Sequence, residues 1–462
     1  MASRGGFSSK AGFIAAAAGS AVGLGNIWGF PYEVGAGGGA IFVLVYLFFC
    51  FVLCFPVMIT EIAIGRKSGR NAVGAFNALG HKKWNFVGKI GVLSGILILS
   101  FYNVIAGWAF GYTFQLGSGN FAVADNFTAF TSNVFEVGTY GMLFMIATAF
   151  IVSKGISGGI EKAAKILLPT LIFMILGLVI YSLFLPNAMS GLKFYLLPDF
   201  SKFSFNVVFN AMGQAFFSLS LGMGALITYG SYVGKNDNIV SSAALITLAD
   251  VGIAFIAGMM IFPFIGYISN GELTGVGGGP ELIFVTLPQI FGSIGGVTGS
   301  ILGASFFALL CFAALTSTVS LLEVPVSYLV DEYKLTRTKA AWLMAGIVYI
   351  IGIPSLVGNG YSEYFTEFIQ YFNAETKTNF LSFVVNLAND SFLPLGGCLI
   401  VFFAAHIWKK ENIDAEISIG APNYEKSFVK KYLSIALPYL VPILLATIFI
   451  MTVLVTFFGV DF

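Results

Sequence analysis

The stretch Gly19–Phe30, GSAVGLGNIWGF, sets the strongest constraint on what this chain can fold into. Hydropathy makes it part of a membrane-spanning helix, yet Gly19, Gly23, Gly25 and Asn26 interrupt that helix. Glycine weakens a helix interior by about 1 kcal/mol relative to alanine, and a backbone N–H or C=O freed inside lipid must find a partner within the protein. Two readings follow. A broken helix lining a polar cavity can bind a cation on its freed carbonyls and an anion at the half-helix N-terminus beyond, which together make a site for a small zwitterion. A glycine seam between closely packed intact helices is the alternative, and the stretch alone does not choose.

Composition settles the class. With 57% hydrophobic residues, 10% charged residues and a mean hydropathy of +0.89 over 462 residues, the chain reads as an all-α polytopic membrane protein; soluble domains carry about 25% charge. A net charge of +1 says little about partners, and nucleic acid is not among those expected. Cys50, Cys54, Cys311 and Cys398 all fall in apolar runs and read as packing residues. His81 and His406 sit near expected helix ends and make no metal set. Arg4 and Lys10 before an alanine-rich run imitate a signal peptide. Residues 11–18 are only weakly hydrophobic for a signal core and apolar character resumes through Phe30 and Pro31, so an uncleaved first span is expected.

Apolar runs of about 20 residues place spans near 11–36, 41–65, 88–116, 139–154, 163–185, 206–232, 239–269, 293–330, 338–353, 380–408 and 432–459. With the N-terminus inside, only Lys193, Lys202 and Lys377 of the 23 lysines and arginines fall outside. Such a bias orients a membrane protein, and it puts the C-terminus, with Asp461, on the external side of the plasma membrane. Segments 117–138, 186–205, 270–292 and 354–379 then become external loops, with a turn expected at GVGGG, 275–279.

Residues 218–224 of span six, SLSLGMG, repeat the Gly-x-Gly interruption of Gly23-Leu-Gly25. Five spans separate the two, so the interruptions sit in helices of opposite orientation. Interrupted segments at corresponding places of two five-helix halves point to an inverted repeat with a midplane site. The halves read as about 11–185 and 206–408 of one transmembrane domain covering 1–462, with an additional helix over 432–459.

These residues carry a resemblance. Residues 19–26 with Phe30-Pro31, Gly38-Gly39, Glu61 with Gly65-Arg66, Tyr102 with Trp108, 213–224 (GQAFFSLSLGMG) and 313–317 (AALTS) are together similar to bacterial members of the neurotransmitter:sodium symporter family. The resemblance covers essentially the whole chain. It implies a 5+5 inverted-repeat fold of about eleven helices, with helices one and six unwound at mid-membrane, and sodium-coupled amino-acid symport by alternating access.

Sodium is a hard cation that favours oxygen, and the adjacent hydroxyls of Thr316 and Ser317 suit it. Membrane hydroxyls also commonly bond back to the preceding turn. The resemblance implies one sodium site from the carbonyls of Gly19, Val22 and Ala313 with those two hydroxyls. It implies a second from the Ala21 carbonyl, the Asn26 amide oxygen, Ser218 and Asp250, completed by the substrate carboxylate. Asp250 also stands out unaided, because an unpaired charge in mid-span costs several kcal/mol.

For the substrate, the resemblance implies that the carboxylate meets the N–H groups of Leu24 and Gly25 and the Tyr102 hydroxyl. The ammonium would meet carbonyls of Ala21, Phe217 and Ser218 and the Ser220 hydroxyl. Ile98, Tyr102, Phe217, Ser220, Met223 and Leu321 would form the side-chain pocket, apolar and suited to a neutral hydrophobic amino acid. Gly159 and Pro169 match a family spacing that lets the inner end of span five unwind. Glu61 is expected to accept N–H bonds from the broken spans.

One departure is plain: Gly29 precedes Phe30 where relatives place a basic residue of an external gate. Its expected acidic partner falls at Val385, beside Asn386, with Asp390 one turn on. The gate is then left to Tyr102 and Phe217. Asp250 supplies a fixed negative charge while Ala254, one turn on, offers no hydroxyl, so chloride independence is expected, with proton counter-transport on the return step. A non-coupled channel and a substrate-sensing receptor on the same fold are the alternatives, while nothing in the sequence assembles an enzyme's catalytic set.

Overall fold

The computed structural model describes residues 5–269 and 280–460. The turn expected over 275–279, Arg4 and Asp461 lie outside the described residues. Among those described, nine helices are long and apolar enough to cross a membrane: Ala40–Ser68, Lys82–Gly117, Val134–Ser153, Ile156–Leu183, Ile239–Ile268, Gly296–Tyr333, Arg337–Val357, Phe380–Ile407 and Phe428–Phe458. A tenth span is the pair Lys10–Ala21 and Gly25–Ala36, bent by 53° at the break expected from the sequence. The eleventh, span six, consists of two helices too short to cross alone, Phe205–Ser218 and Ala225–Gly230, on either side of 219–224. We number the spans one to eleven in chain order.

Proline explains much of the local irregularity. Five π-helical turns, Gly25–Gly29, Cys50–Cys54, Leu282–Thr286, Asn386–Phe392 and Ala436–Leu440, each run directly into a helix whose second residue is proline. Proline has no N–H to return to the carbonyl four residues back, so the preceding turn widens and bonds reach five residues instead. In span one, the Phe30 N–H accordingly bonds the Gly25 carbonyl, ahead of Pro31.

In span six, Ser220, Gly222 and Gly224 all take positive φ, at 54°, 82° and 73°. Glycine adopts this region freely, so the two glycines allow the unwinding. Glu61, fully buried in span two, accepts the Gly222 N–H at 2.8 Å and so satisfies part of the freed backbone.

Spans three and eight pack along each other at the centre, and the inner half of span one lies against spans five, seven and eight. The outer half of span six packs on the start of span two, and its inner half on the end of span two. Span eleven is peripheral: 17% of its apolar window is buried, against 78% for spans three and eight.

The external segments read as loops carry helices of their own, Ala188–Leu196 and Leu287–Ile294, which are too short for a span-length search to find. All four cysteines are free, three buried and Cys398 half-buried.

Replacing Glu61 with Ala should strand the Gly222 N–H in a dry interior, at a cost of about 1–3 kcal/mol. Fluorescence-detected size exclusion after heating should show a lower midpoint for Glu61→Ala, with Glu61→Gln recovering part of the loss.

Candidate functional site

The two breaks face each other. Asp250 of span seven, fully buried, accepts the Asn26 amide nitrogen at 2.7 Å and the Ser218 hydroxyl at 2.9 Å, one group from each broken span. Asn26 also donates to Ser218 Oγ at 3.1 Å and to the Asp250 carbonyl at 3.2 Å. Tyr46 of span two completes the cluster, its hydroxyl 3.2 Å from Ser218 Oγ and 3.5 Å from Asp250.

The orientation of Asn26 differs from the expected one. Its amide oxygen accepts the Gly23 N–H at 2.9 Å, and its NH2 turns to the carboxylate. The reason is electrostatic: an ionised carboxylate accepts only, so the donor end of the amide faces it.

A second oxygen cluster lies where span one meets span eight. Thr316 Oγ1 is 2.9 Å from the Ala313 carbonyl, 3.3 Å from Phe312 and 3.4 Å from Val22, and Ser317 Oγ is 3.3 Å from the carbonyls of Val22 and Ser20. Thr316 thus bonds back to its own turn and also reaches across to the break. Gly19 packs closely beside it: a Cβ there would stand 3.3 Å from the Thr316 Cβ. The donors that gather are carbonyls and hydroxyls, a set that fits a hard monovalent cation.

Between the clusters is a narrow cavity of about 30 Å3 lined by Ala21, Gly25, Ile98, Tyr102, Phe217, Ser218, Ser220, Met223 and Leu321, with Ser20, Gly23 and Ser317. All but one of the residues expected around the substrate line it. Leu24 faces outward instead and meets the site through its backbone, its N–H donating to the Tyr102 hydroxyl at 2.8 Å. Ser220, in its left-handed conformation, donates to the Ser20 carbonyl at 3.1 Å and ties the two breaks together.

Outside the cavity opens a vestibule of about 1630 Å3, open solvent included. Gly25, Tyr102 and Phe217 line both spaces and form the partition between them. The Phe217 ring lies over Gly25, 3.1 Å from where a Cβ would be. Gly29 and Val385 both line the vestibule, whereas Asp390 is bonded to Thr456 of span eleven at 2.9 Å. Gln214 of span six donates to the Gly25 carbonyl at 3.1 Å and stands beside Gly29.

On the inner side, Glu161 accepts the Ser8 N–H at 2.7 Å, the Ser8 hydroxyl at 2.5 Å and Lys165 at 2.6 Å, fastening the start of span one to span five. Glu161 lies between Gly159 and Pro169, in the segment singled out for unwinding.

Tyr46, Gln214, Ser20 and Glu161 were not anticipated. Tyr46 and Gln214 are single polar residues in helices that give no local signal. Glu161 next to Lys162 and Lys165 reads as a solvated inner end.

Two broken helices enclosing a small polar-and-apolar cavity define a helical membrane transporter with its site at the breaks. The comparisons agree. The model of the Sodium:neurotransmitter symporter family matches residues 4–133 and 124–393. An uncharacterized sodium-dependent transporter of Bacillus subtilis is 32% identical over 454 residues, 96% of each chain. Another, of Methanocaldococcus jannaschii, is 38% identical over 384 residues, 79% of this chain and 77% of its own. The crystal structure of MhsT in complex with L-phenylalanine superposes with a TM-score of 0.86 at 41% identity, covering 97% of this chain and 100% of that one. The chain belongs to the sodium:neurotransmitter symporter family, and its transport is sodium-coupled.

Gly23 has no room to grow: a Cβ would fall 2.5 Å from Ser317 Oγ and 2.7 Å from the Tyr102 hydroxyl. Gly23→Ala should displace both hydroxyls at a cost of about 1–3 kcal/mol. Equilibrium binding of a labelled amino acid should weaken at least tenfold, about 1.4 kcal/mol, while the purified protein stays monodisperse.

Proposed function

We propose that the protein imports neutral, hydrophobic amino acids together with sodium by alternating access, without a chloride requirement. The observation that carries the reading is the cavity between the breaks, whose lining combines the backbone and hydroxyl groups of Gly23, Gly25, Tyr102, Ser218 and Ser220 with the apolar side chains of Ile98, Met223 and Leu321. A zwitterion with an apolar side chain suits that mixed lining. Its carboxylate would lie toward Gly25 and Tyr102, and its ammonium toward the carbonyls of Ala21, Phe217 and Ser218 and the Ser220 hydroxyl. The resemblance to a structure that holds L-phenylalanine supports the same class.

Two sodium ions would be co-transported. One would sit among the carbonyls of Gly19, Val22 and Ala313 and the hydroxyls of Thr316 and Ser317. The other would sit against Asp250 and Ser218 with the Ala21 carbonyl, and its arrival would turn the Asn26 amide so that its oxygen replaces its nitrogen. Asp250 would provide the negative charge that makes chloride redundant.

The partition of Gly25, Tyr102 and Phe217 would close over the substrate on the outer side. Release inward would require the Ser8–Glu161 fastening to part as span five loosens between Gly159 and Pro169. The domain would divide into repeats 11–185 and 206–408, with span eleven outside the repeat, the N-terminus cytoplasmic and the C-terminus external. The membrane would be the plasma membrane.

Uptake of labelled amino acids into proteoliposomes separates this from a channel or a receptor. Saturable accumulation driven by a sodium gradient and absent in potassium is the expected result; binding without flux, or uncoupled conductance, would refute it. Thr316→Val with Ser317→Ala should abolish sodium-stimulated binding in a folded protein, because two oxygen ligands go with little change in volume. Normal sodium dependence in that variant would remove the first site. Met223→Phe should narrow the accepted range toward smaller side chains, seen as loss of competition by tryptophan and tyrosine.

A further inference from the structure

The helix that opens span one ends at Ala21, and the carbonyls of a helix's last turn lack intrahelical donors. At Ser20 the N–H four residues on, that of Leu24, donates to the Tyr102 hydroxyl instead. The Ser20 carbonyl takes two hydroxyls in its place, from Ser220 of span six at 3.1 Å and from Ser317 of span eight at 3.3 Å. A carbonyl oxygen has two lone pairs, so both donors are accommodated. Ser220 belongs to the pocket proposed for the substrate and Ser317 to the first proposed sodium site, whereas Ser20 belongs to neither set.

The Ser20 side chain is anchored as well. Membrane serines commonly bond back to their own turn, as Ser320 does on the Ser317 carbonyl at 2.8 Å. Ser20 instead donates across to Ser320 Oγ of span eight at 2.7 Å, and both residues are buried. With its hydrogen engaged on its own helix, Ser320 has its oxygen free to accept. The chain from Ser20 through Ser320 to the Ser317 carbonyl therefore runs in one direction with every donor satisfied. Ser20 is fixed to span eight by its hydroxyl, and its carbonyl in turn fixes two hydroxyls.

We propose that Ser20, anchored by Ser320, is a positioning residue that couples cation binding to substrate binding, a role that rests on the proposed sodium and amino-acid sites. A hydroxyl that gives its oxygen to a cation must turn its hydrogen elsewhere. Around Ser317, the Val22 carbonyl at 3.3 Å would serve the same cation, and the neighbouring Tyr102 hydroxyl already accepts the Leu24 N–H at 2.8 Å. The Ser20 carbonyl is left to take the Ser317 hydrogen. That carbonyl and the Ala21 nitrogen share one planar peptide, so holding it restricts where the Ala21 carbonyl points. It also engages the Ser220 hydrogen and leaves the Ser220 lone pairs for an ammonium. The Ala21 carbonyl and the Ser220 hydroxyl are both groups proposed to receive the amino acid's ammonium, so the substrate site is set before the amino acid arrives, and its affinity rises accordingly.

The test is equilibrium binding of labelled L-phenylalanine to the purified full-length protein over a sodium series, with potassium replacing sodium. In the wild type, affinity should rise steeply with sodium. In Ser20→Ala, Ser320→Ala and the double variant, the factor by which sodium raises affinity should fall by about fivefold or more. The double variant should lose no more than either single one, because the same bond is removed in all three. Sodium without amino acid should still raise the thermal midpoint of every variant, the mark of a folded protein with its cation site intact. A merely structural role would lower the midpoints and leave the factor unchanged. An undiminished factor in the single variants, losses that add in the double variant, or loss of the midpoint shift by sodium alone would each overturn the proposal and leave the transport reading standing. Wild-type binding indifferent to sodium would overturn that reading, and the proposal with it.

Discussion

A carboxylate buried where spans one, two, six and seven meet ties the two helix breaks together. Asp250 accepts one hydrogen bond from the break in span one and one from the break in span six, and Tyr46 approaches from span two. Lipid offers no solvent for the freed backbone of a broken helix, so the breaks persist only where side chains and facing carbonyls take the place of water. Asn26, Ser220, Glu61 and Gln214 do this at four separate backbone groups: the Gly23 N–H, the Ser20 carbonyl, the Gly222 N–H and the Gly25 carbonyl. A cavity for a polar ligand then follows from the same groups that stabilise the fold.

Proline contributes the geometry and glycine the room. Pro31 widens the turn Gly25–Gly29, which leaves the Gly25 carbonyl placed to accept both the Phe30 N–H and Gln214. Glycines at 222 and 224 let span six unwind, and the absent side chain at Gly23 lets the Tyr102 hydroxyl and Ser317 approach the break. Each of these residues breaks a rule of helix interiors. They gather at one place, as departures from local preference do when a site requires them.

The spans were legible because each is a run of hydropathy long enough to cross a bilayer, and their observed ends fall within a few residues of the expected ones for most. Both breaks were legible as glycine pairs. The cavity residues were legible only in combination: Ile98, Met223 and Leu321 are ordinary apolar residues until motifs in other spans fix their register. Tyr46 stayed hidden because its role depends on the angle between spans two and seven, which nothing near it in sequence encodes. The Asn26 orientation was hidden for a related reason, since which end of an amide faces a site depends on the charge opposite it. The short helices Ala188–Leu196 and Leu287–Ile294 lie in segments too brief for a membrane-length window.

Charge compensation by Asp250 is the central claim, and replacing chloride tests it most directly. Sodium-driven uptake into proteoliposomes should proceed at the same rate in sodium gluconate as in sodium chloride. In Asp250→Asn with Ala254→Ser, where the fixed charge is gone and a hydroxyl stands one turn away, chloride should stimulate. Wild-type uptake that falls well below its chloride rate in gluconate would contradict the account and leave the buried carboxylate with a different task.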